Sequence, residues 1–253
     1  MKINCYVLAF LLFLLCPVKS MGQGSSDKKV SKKNDFGAYE RRCIEVRGNV
    51  AMIAPDSLQK CKKTVVSSSS VSRKKGIAVD LGLSVKWANC NVGANAPEEY
   101  GGYYAWGETE EKSDYTKETY KYYCAKYNFY ITIGSDISGS QYDVAHVKWG
   151  GNWRMPTHAE IKELVEKCKS EKITYKGVSG YKFTGPNGNS IFLPTAGWRD
   201  GTDVNDRGDS GDYWSATLKD RNFAYDLDFY SGNMDWDNFD SFEDGCSVRP
   251  VTK

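Results

Sequence analysis

"WGGNWRMPTHAEIKELVEKC", Trp149 to Cys168, is the stretch on which the reading of this chain turns. Thr157 followed by Glu160 is a capping box. The Thr157 side chain accepts from the Glu160 amide, and the Glu160 carboxylate reaches back to the Thr157 amide. Pro156 stands just before the cap, where no helical hydrogen bond is lost. Ile161, Leu164, Val165 and Cys168 then recur at i, i+3, i+4 and i+7. The spacing predicts one amphipathic helix of about three turns, packed through that face.

Outside this stretch the periodicity is that of strands. Upstream, "GIAVDLGLSVKWANCNVGA" (76–94) alternates apolar and polar residues and runs into glycine-containing turns. "YGGYYAWGET" (100–109) reads as a short aromatic strand bounded by glycines. Residues 110–142, rich in Tyr and Lys, read as a long loop with little regular structure. Downstream, "GYKFTGPNGNSIFLP" (180–194) is a hairpin about a Pro-Asn-Gly turn. "GDYWSATL" (211–218) and "NFAYDLDFYSGNMDWDN" (222–238) are further strands, with Phe223, Tyr225, Leu227 and Phe229 alternating along one face. "GCSVRPV" (245–251) closes the domain. Strand, helix, then many antiparallel strands make the fold class α+β. The 24 glycines and 13% aromatic content suit many short strands and long loops better than a helical bundle.

The chain has 253 residues, enough for one substantial domain with extensions. Residues 1–22 read as a signal peptide: a basic start at Lys2, the apolar run Tyr6–Leu15, then small residues at Ser20 and Gly22. The run is too short to span a bilayer. Cys16 lies between Leu15 and Pro17 rather than after a small residue, so a lipoprotein is the lesser reading. The expectation is a secreted or outer-membrane, cell-surface protein. Residues 23–76 hold 13 Lys+Arg against 5 Asp+Glu, and residues 77–253 hold 19 against 27. The basic part reads as a low-complexity linker, and its attraction to an anionic envelope surface is an alternative to a plain solvated spacer. Export and an acidic domain argue against nucleic acid as a partner. Six cysteines lie beyond the leader, without a CxxC. Cys43 and Cys61, alone in the basic part, are candidates for a local pair; buried reduced thiols are the alternative for several of the rest.

Two histidines, His146 and His158, are too few for a three-histidine zinc site, and no P-loop, HExxH or nucleophile-elbow motif is present. Oxygen-bearing side chains gather in "RDGTDVNDRGDSGDYW" (199–214): Asp200, Asp203, Asn205, Asp206, Asp209 and Asp212. Calcium takes 6–8 oxygens, so a calcium loop outside the EF-hand pattern is one reading; a solvated Gly/Asp turn is the other. All seven tryptophans fall in the domain. Core packing is their ordinary role, but Trp236 sits among acids and amides in "NMDWDNFDSFED" (233–244), a composition shared by polar ligand surfaces and half-buried hairpin edges.

Taken together, "VDLGLSVKWANCNVGA", "YGGYYAWGET", the Trp149–Cys168 stretch, "GYKFTGPNGNSIFLPTAGWRDG", "YWSAT" and "SVRPV" resemble the Fibrobacter succinogenes major paralogous domain, frequent in exported proteins of Bacteroidetes. The resemblance covers roughly residues 77–251. It implies a C-type-lectin-like fold, shared with the formylglycine-generating enzymes, whose Trp-Arg-Leu-Pro-Thr block "NWRMPTHAEI" resembles. The resemblance makes the block a fold signature that enters and caps a helix; it does not carry the oxidase chemistry of those enzymes. Those enzymes bind copper with a cysteine pair in the C-terminal third, where this chain has only Cys246. The resemblance therefore implies a non-catalytic, exported binding module with a glycan or a protein surface as ligand. A formylglycine-generating-like enzyme and a structural envelope protein are the rival readings. Trp198, Tyr225, Tyr230, Trp236, Phe239, Asp235 and Asp237 are the expected ligand contacts. Asp200, Asp203, Asn205, Asp206 and Asp209 are the expected ligands of any calcium ion; no other cofactor is expected. In the wider superfamily some members vary near the C-terminus, and "YDLDFYSGNMDWDNFDSFEDG" (225–245) is rich in the residue types such variation produces.

Overall fold

The computed structural model describes residues 75–253. The leader, the basic segment and the Cys43–Cys61 pairing lie outside the described residues. Residues 75–253 are mostly β, with two short helices and several small antiparallel sheets, in keeping with an α+β chain.

The two helices are α1 (Val144–Trp149) and α2 (His158–Lys167). Helix α2 begins where the capping box puts it. Thr157 Oγ1 accepts from the Glu160 amide at 3.3 Å, and Glu160 Oε2 accepts from the Thr157 amide at 2.8 Å. Arg154 clamps the same carboxylate with two bonds of 2.6 and 2.8 Å, so the Trp-Arg-Met-Pro-Thr block is a cap held by a forked ion pair. Ile161, Leu164 and Cys168 are buried and Val165 is partly buried, the face the spacing predicts. The helix stops one residue short of Cys168, which is already extended.

From there the chain enters a sheet of β5 (Lys169–Tyr175), β6 (Val178–Thr184) and β7 (Ser190–Pro194). The β6–β7 hairpin is the one predicted. Strand β5 was not legible: "KSEKITY" has no apolar alternation, lies almost wholly exposed, and is held by its seven-residue pairing with β6.

The central sheet is β10 (Ser210–Leu218), β11 (Phe223–Tyr230) and β12 (Asn233–Ser241). Strands β11 and β12 join through Ser231 and Gly232, at φ 51° and 89°. A two-residue turn with both φ positive matches the natural twist of a hairpin. One face of the sheet presents Tyr213, Leu227 and Phe229 to α2, to the β6–β7 hairpin and to Leu81, Trp87 and Val251. The other presents Trp214, Ala216 and Ala224 to a second core built from Trp106, Tyr104, Tyr115, Tyr120 and Phe242.

That second core comes largely from the irregular stretch between residues 100 and 142, which holds only a 3₁₀ turn, Lys117–Thr119, and the short pair β3 (Tyr123–Cys124) and β4 (Phe129–Tyr130). Buried irregular backbone needs partners for its polar groups. The aromatics supply them: Tyr120 Oη donates to the Trp106 carbonyl, Trp106 Nε1 to Ser215, and Trp214 Nε1 to Tyr104.

The ends of the domain meet. Strand β2 (Lys86–Ala88) lies between β1 (Ala78–Val79) and β13 (Val251–Thr252). Arg249 of "SVRPV" is fully buried beside them and donates to Asn91 Oδ1 and to the carbonyls of Ala88 and Phe192, at 2.8–3.1 Å. Cys90, Cys168 and Cys246 are free and buried, while Cys124 is disulfide-bonded.

Candidate functional site

Four of the seven expected ligand contacts converge on the helix side of the β11–β12 hairpin. Tyr225 stacks on His158 with ring centres 3.9 Å apart, and Trp236 lies 5.2 Å from the same imidazole. Asp237 Oδ1 is 3.2 Å from His158 Nε2. Lys162 Nζ sits 4.3 Å over the Trp236 ring, and Lys219 lies over both Tyr225 and Phe239. Burial holds the His158 pKa below its ordinary value, against the pull of Asp237. Tyr225 and Trp236 therefore each have a ring face already occupied, and Phe239 is the most exposed of the three aromatic rings at 43%. Tyr230 stands exposed at the end of β11. Asp235 is exposed and accepts from the Asp237 amide. Trp198 packs against the second core.

The expected calcium residues run along a small hairpin, β8 (Trp198–Asp200) and β9 (Asp203–Asn205). Asp200 pairs with Asp203 and Asn205 with Trp198. Asp206 follows at φ 51°, and its carbonyl accepts from the Asp209 amide. The neighbouring Arg207, part of an Arg-Gly-Asp triplet, is tied down by two bonds to Tyr103 Oη. Among the described residues, the carboxylates close enough to share one cation are elsewhere: Asp212, Asp226 and Asp240.

These three acids lie one on each strand of the central sheet, with oxygens within 4.8 Å of one another. Asp226 is fully buried, Asp212 almost so, and Asp240 partly so. Burial, then the charge of Asp240, drives the Asp212 carboxyl up to about 8; burial and the charges of Asp240 and Asp212 drive Asp226 well above the usual carboxylate range. Asp244 is likewise pushed up to about 8, by burial and then Asp240, and Asp228 to about 6. Sequence reading named Asp212 but neither Asp226 nor Asp240. Asp226 and Asp228 alternate with Tyr225, Leu227 and Phe229, a pattern that in sequence reads as a solvent-facing row and carries no mark of burial.

Near the Phe223–Ser241 end of the central sheet lies a cleft of two hollows that share Tyr130 as a wall. One hollow, of about 250 Å³, is lined by Trp106, Tyr120, Tyr130, Ile133, Leu218 and Phe242, with Asp220 and Arg221 also lining it. The other, of about 260 Å³, is lined by Lys117, Asn128, Asn222, Ser241 and Glu243 with Tyr123, Tyr130 and Phe223. Tyr130 Oη donates to Glu243 at 2.7 Å, which fixes the ring between the two. Burial and this acceptor push the phenol pKa well up, so it stays a neutral donor. No residue of this cleft was anticipated. Its walls come from the Tyr-rich stretch, the β10–β11 turn and the end of β12, which are far apart in sequence.

No protein-family model matches the chain, and no curated protein or solved structure matches it.

Proposed function

We propose that residues 77–253 are an exported, non-catalytic binding module on a C-type-lectin-like fold, and that the module holds a glycan in the Tyr130 cleft. The observation that carries this reading is the pairing of an aromatic hollow with a polar one across a single tyrosine. Sugar rings offer apolar C–H faces to aromatic walls and hydroxyls to amide and carboxylate side chains. Tyr120, Tyr130 and Phe242 supply the first, and Asn128, Asn222, Ser241 and Glu243 the second. Pockets of this mixed lining are the usual seats of small ligands.

The fold assignment draws support from the pairing of β2 with β13, which closes the domain on itself, and from the capped helix against the sheet. Burial pushes the Cys246 thiol up, the opposite of what a thiolate nucleophile or a copper-thiolate site requires. Cys168, its one conceivable C-terminal partner, belongs to the other core. His146 Nδ1 is 3.3 Å from the Trp153 carbonyl, and His158 is held in the ring stack. These features favour binding over catalysis. A glycan array probed with the purified protein tests the reading. Wild type is expected to select a subset of glycans, and Asn222→Ala to bind them at least tenfold more weakly. An array with no bound glycan, or the same set bound equally by Asn222→Ala, would count against it.

A further inference from the structure

We infer that Asp212, Asp226 and Asp240 form a site for one hard divalent cation, of the calcium and manganese class, inside the central sheet. This does not depend on the glycan reading.

The geometry suits a single ion. One oxygen from each of three adjacent strands lies within 4.8 Å of the others. Calcium–oxygen bonds are about 2.4 Å, so oxygens bound to one ion stand no more than about 4.8 Å apart, a limit that all three pairs meet. The side chains share the sheet face that also carries Trp214 and Ala224, under the irregular aromatic core.

A second observation is independent of the cluster's shape. Asp226 is 0% exposed, and its Oδ1 has no hydrogen-bond partner. Its Oδ2 receives only a long contact of 3.4 Å from Asn238. A buried carboxylate oxygen without a donor is costly. The same protein contains the ordinary solution elsewhere: Asp143, equally buried, accepts from the amides of Gly139, His146 and Met155 at 2.8–3.0 Å. Asp143 is a structural acid with its donors in place. Asp226 has a vacant acceptor aimed among two further acids. Among the described residues no Lys or Arg forms an ion pair with Asp212, Asp226 or Asp240. A cation would supply the missing partner and the missing positive charge together.

The donors are all oxygens, which selects hard ions. Cys246 Sγ lies 3.6 Å from Asp240 Oδ2 as a donor, and burial keeps the thiol protonated, so sulfur is not offered as a ligand. A buried site strips water from the ion, which favours calcium or manganese over the reluctantly dehydrated magnesium. Half-buried Asp228 and exposed Asp206 add their negative charge to that of the cluster at Asp212.

The test uses the purified full chain, stripped with EDTA and dialysed. Thermal unfolding is followed with added Ca²⁺, Mn²⁺, Mg²⁺ or Zn²⁺, and the best ion is titrated by calorimetry. The expected result is one ion per chain and a saturable rise in Tm of about 5–10 °C at a hundredfold excess over Kd. Asp226→Asn keeps the side-chain shape. It should be at least as stable as wild type in EDTA and bind the ion at least tenfold more weakly. Asp240→Asn serves as the second variant, and Asp203→Asn on the exposed hairpin should change nothing. Three results would overturn the inference: no shift with Ca²⁺, Mn²⁺ or Mg²⁺; a shift undiminished in both sheet variants; or a shift with Zn²⁺ alone that Cys246→Ser abolishes.

Discussion

The two faces of the central sheet are made from the same three strands by opposite means. Along β11, Leu227 and Phe229 point into a conventional apolar core closed by α2 and the β6–β7 hairpin. On the alternate positions, Ala224, Asp226 and Asp228 point the other way, beneath an irregular stretch whose backbone is satisfied by tyrosine hydroxyls and tryptophan N–H groups. The first face is built to fold. The second holds the acid row, the vacant acceptor of Asp226 and, nearby, the cleft. On the reading proposed above, stability and binding divide between the two faces of one sheet. The difference also teaches that alternation tells which residues share a face, and not whether that face is wet.

The largest effect is expected on the apolar face. Phe229→Ala should destabilise by about 3–5 kcal/mol, as fully buried aromatics do, read from urea unfolding. A loss below about 1 kcal/mol would blur the contrast between faces. The acid face should instead make stability fall as pH rises. Unfolded Asp titrates near 3.9, whereas Asp212 and Asp244 in the folded protein are raised to about 8. The folded state then holds more protons across that window. The contribution is full below about pH 4 and is lost as pH rises through about 8. The groups facing Asp212 are Asp240, Asp228 and Asp206, with Ser210 as the opposing donor, so the trend should be plain in EDTA between pH 5 and 8. His158, lowered by burial, works in the other direction with a smaller weight. A flat profile in EDTA would contradict the account of this face.

Smaller effects sharpen the comparison. Asp226→Asn in EDTA should raise stability by about 1 kcal/mol at pH 7.5, as removal of uncompensated buried acids does. The same measurement on Asp143→Asn should show a loss, because its carboxylate is fully partnered. Thr157→Ala should cost about 1 kcal/mol through the cap of α2, and should leave the pH profile of the acid face unmoved.

The legible parts of the fold follow the same division. The helix, the β6–β7 hairpin and strands β10 to β12 all carry a period that burial on one side imposes. Strand β5 carries none, because neither of its faces is buried. Asp226 and Asp240 were hidden because an Asp opposite an apolar stripe reads as solvent-facing, and the segment that covers them is contributed by residues more than 80 positions away. Tyr225, Trp236, Asp237 and Phe239 were legible as a group because they share one hairpin. Tyr130, Asn222 and Glu243 were not, because only the folded chain assembles them. The surplus of tyrosine between residues 110 and 142 was the single sign that this loop had work beyond connection.

One experiment sets the two faces directly against each other: glycan-array binding by wild type, Tyr130→Ala and Trp236→Ala, each checked for a folded circular-dichroism spectrum. Tyr130→Ala should abolish binding, and Trp236→Ala should retain the wild-type set. Binding lost in Trp236→Ala and kept in Tyr130→Ala would move the site to the helix side of the hairpin and contradict the assignment made here.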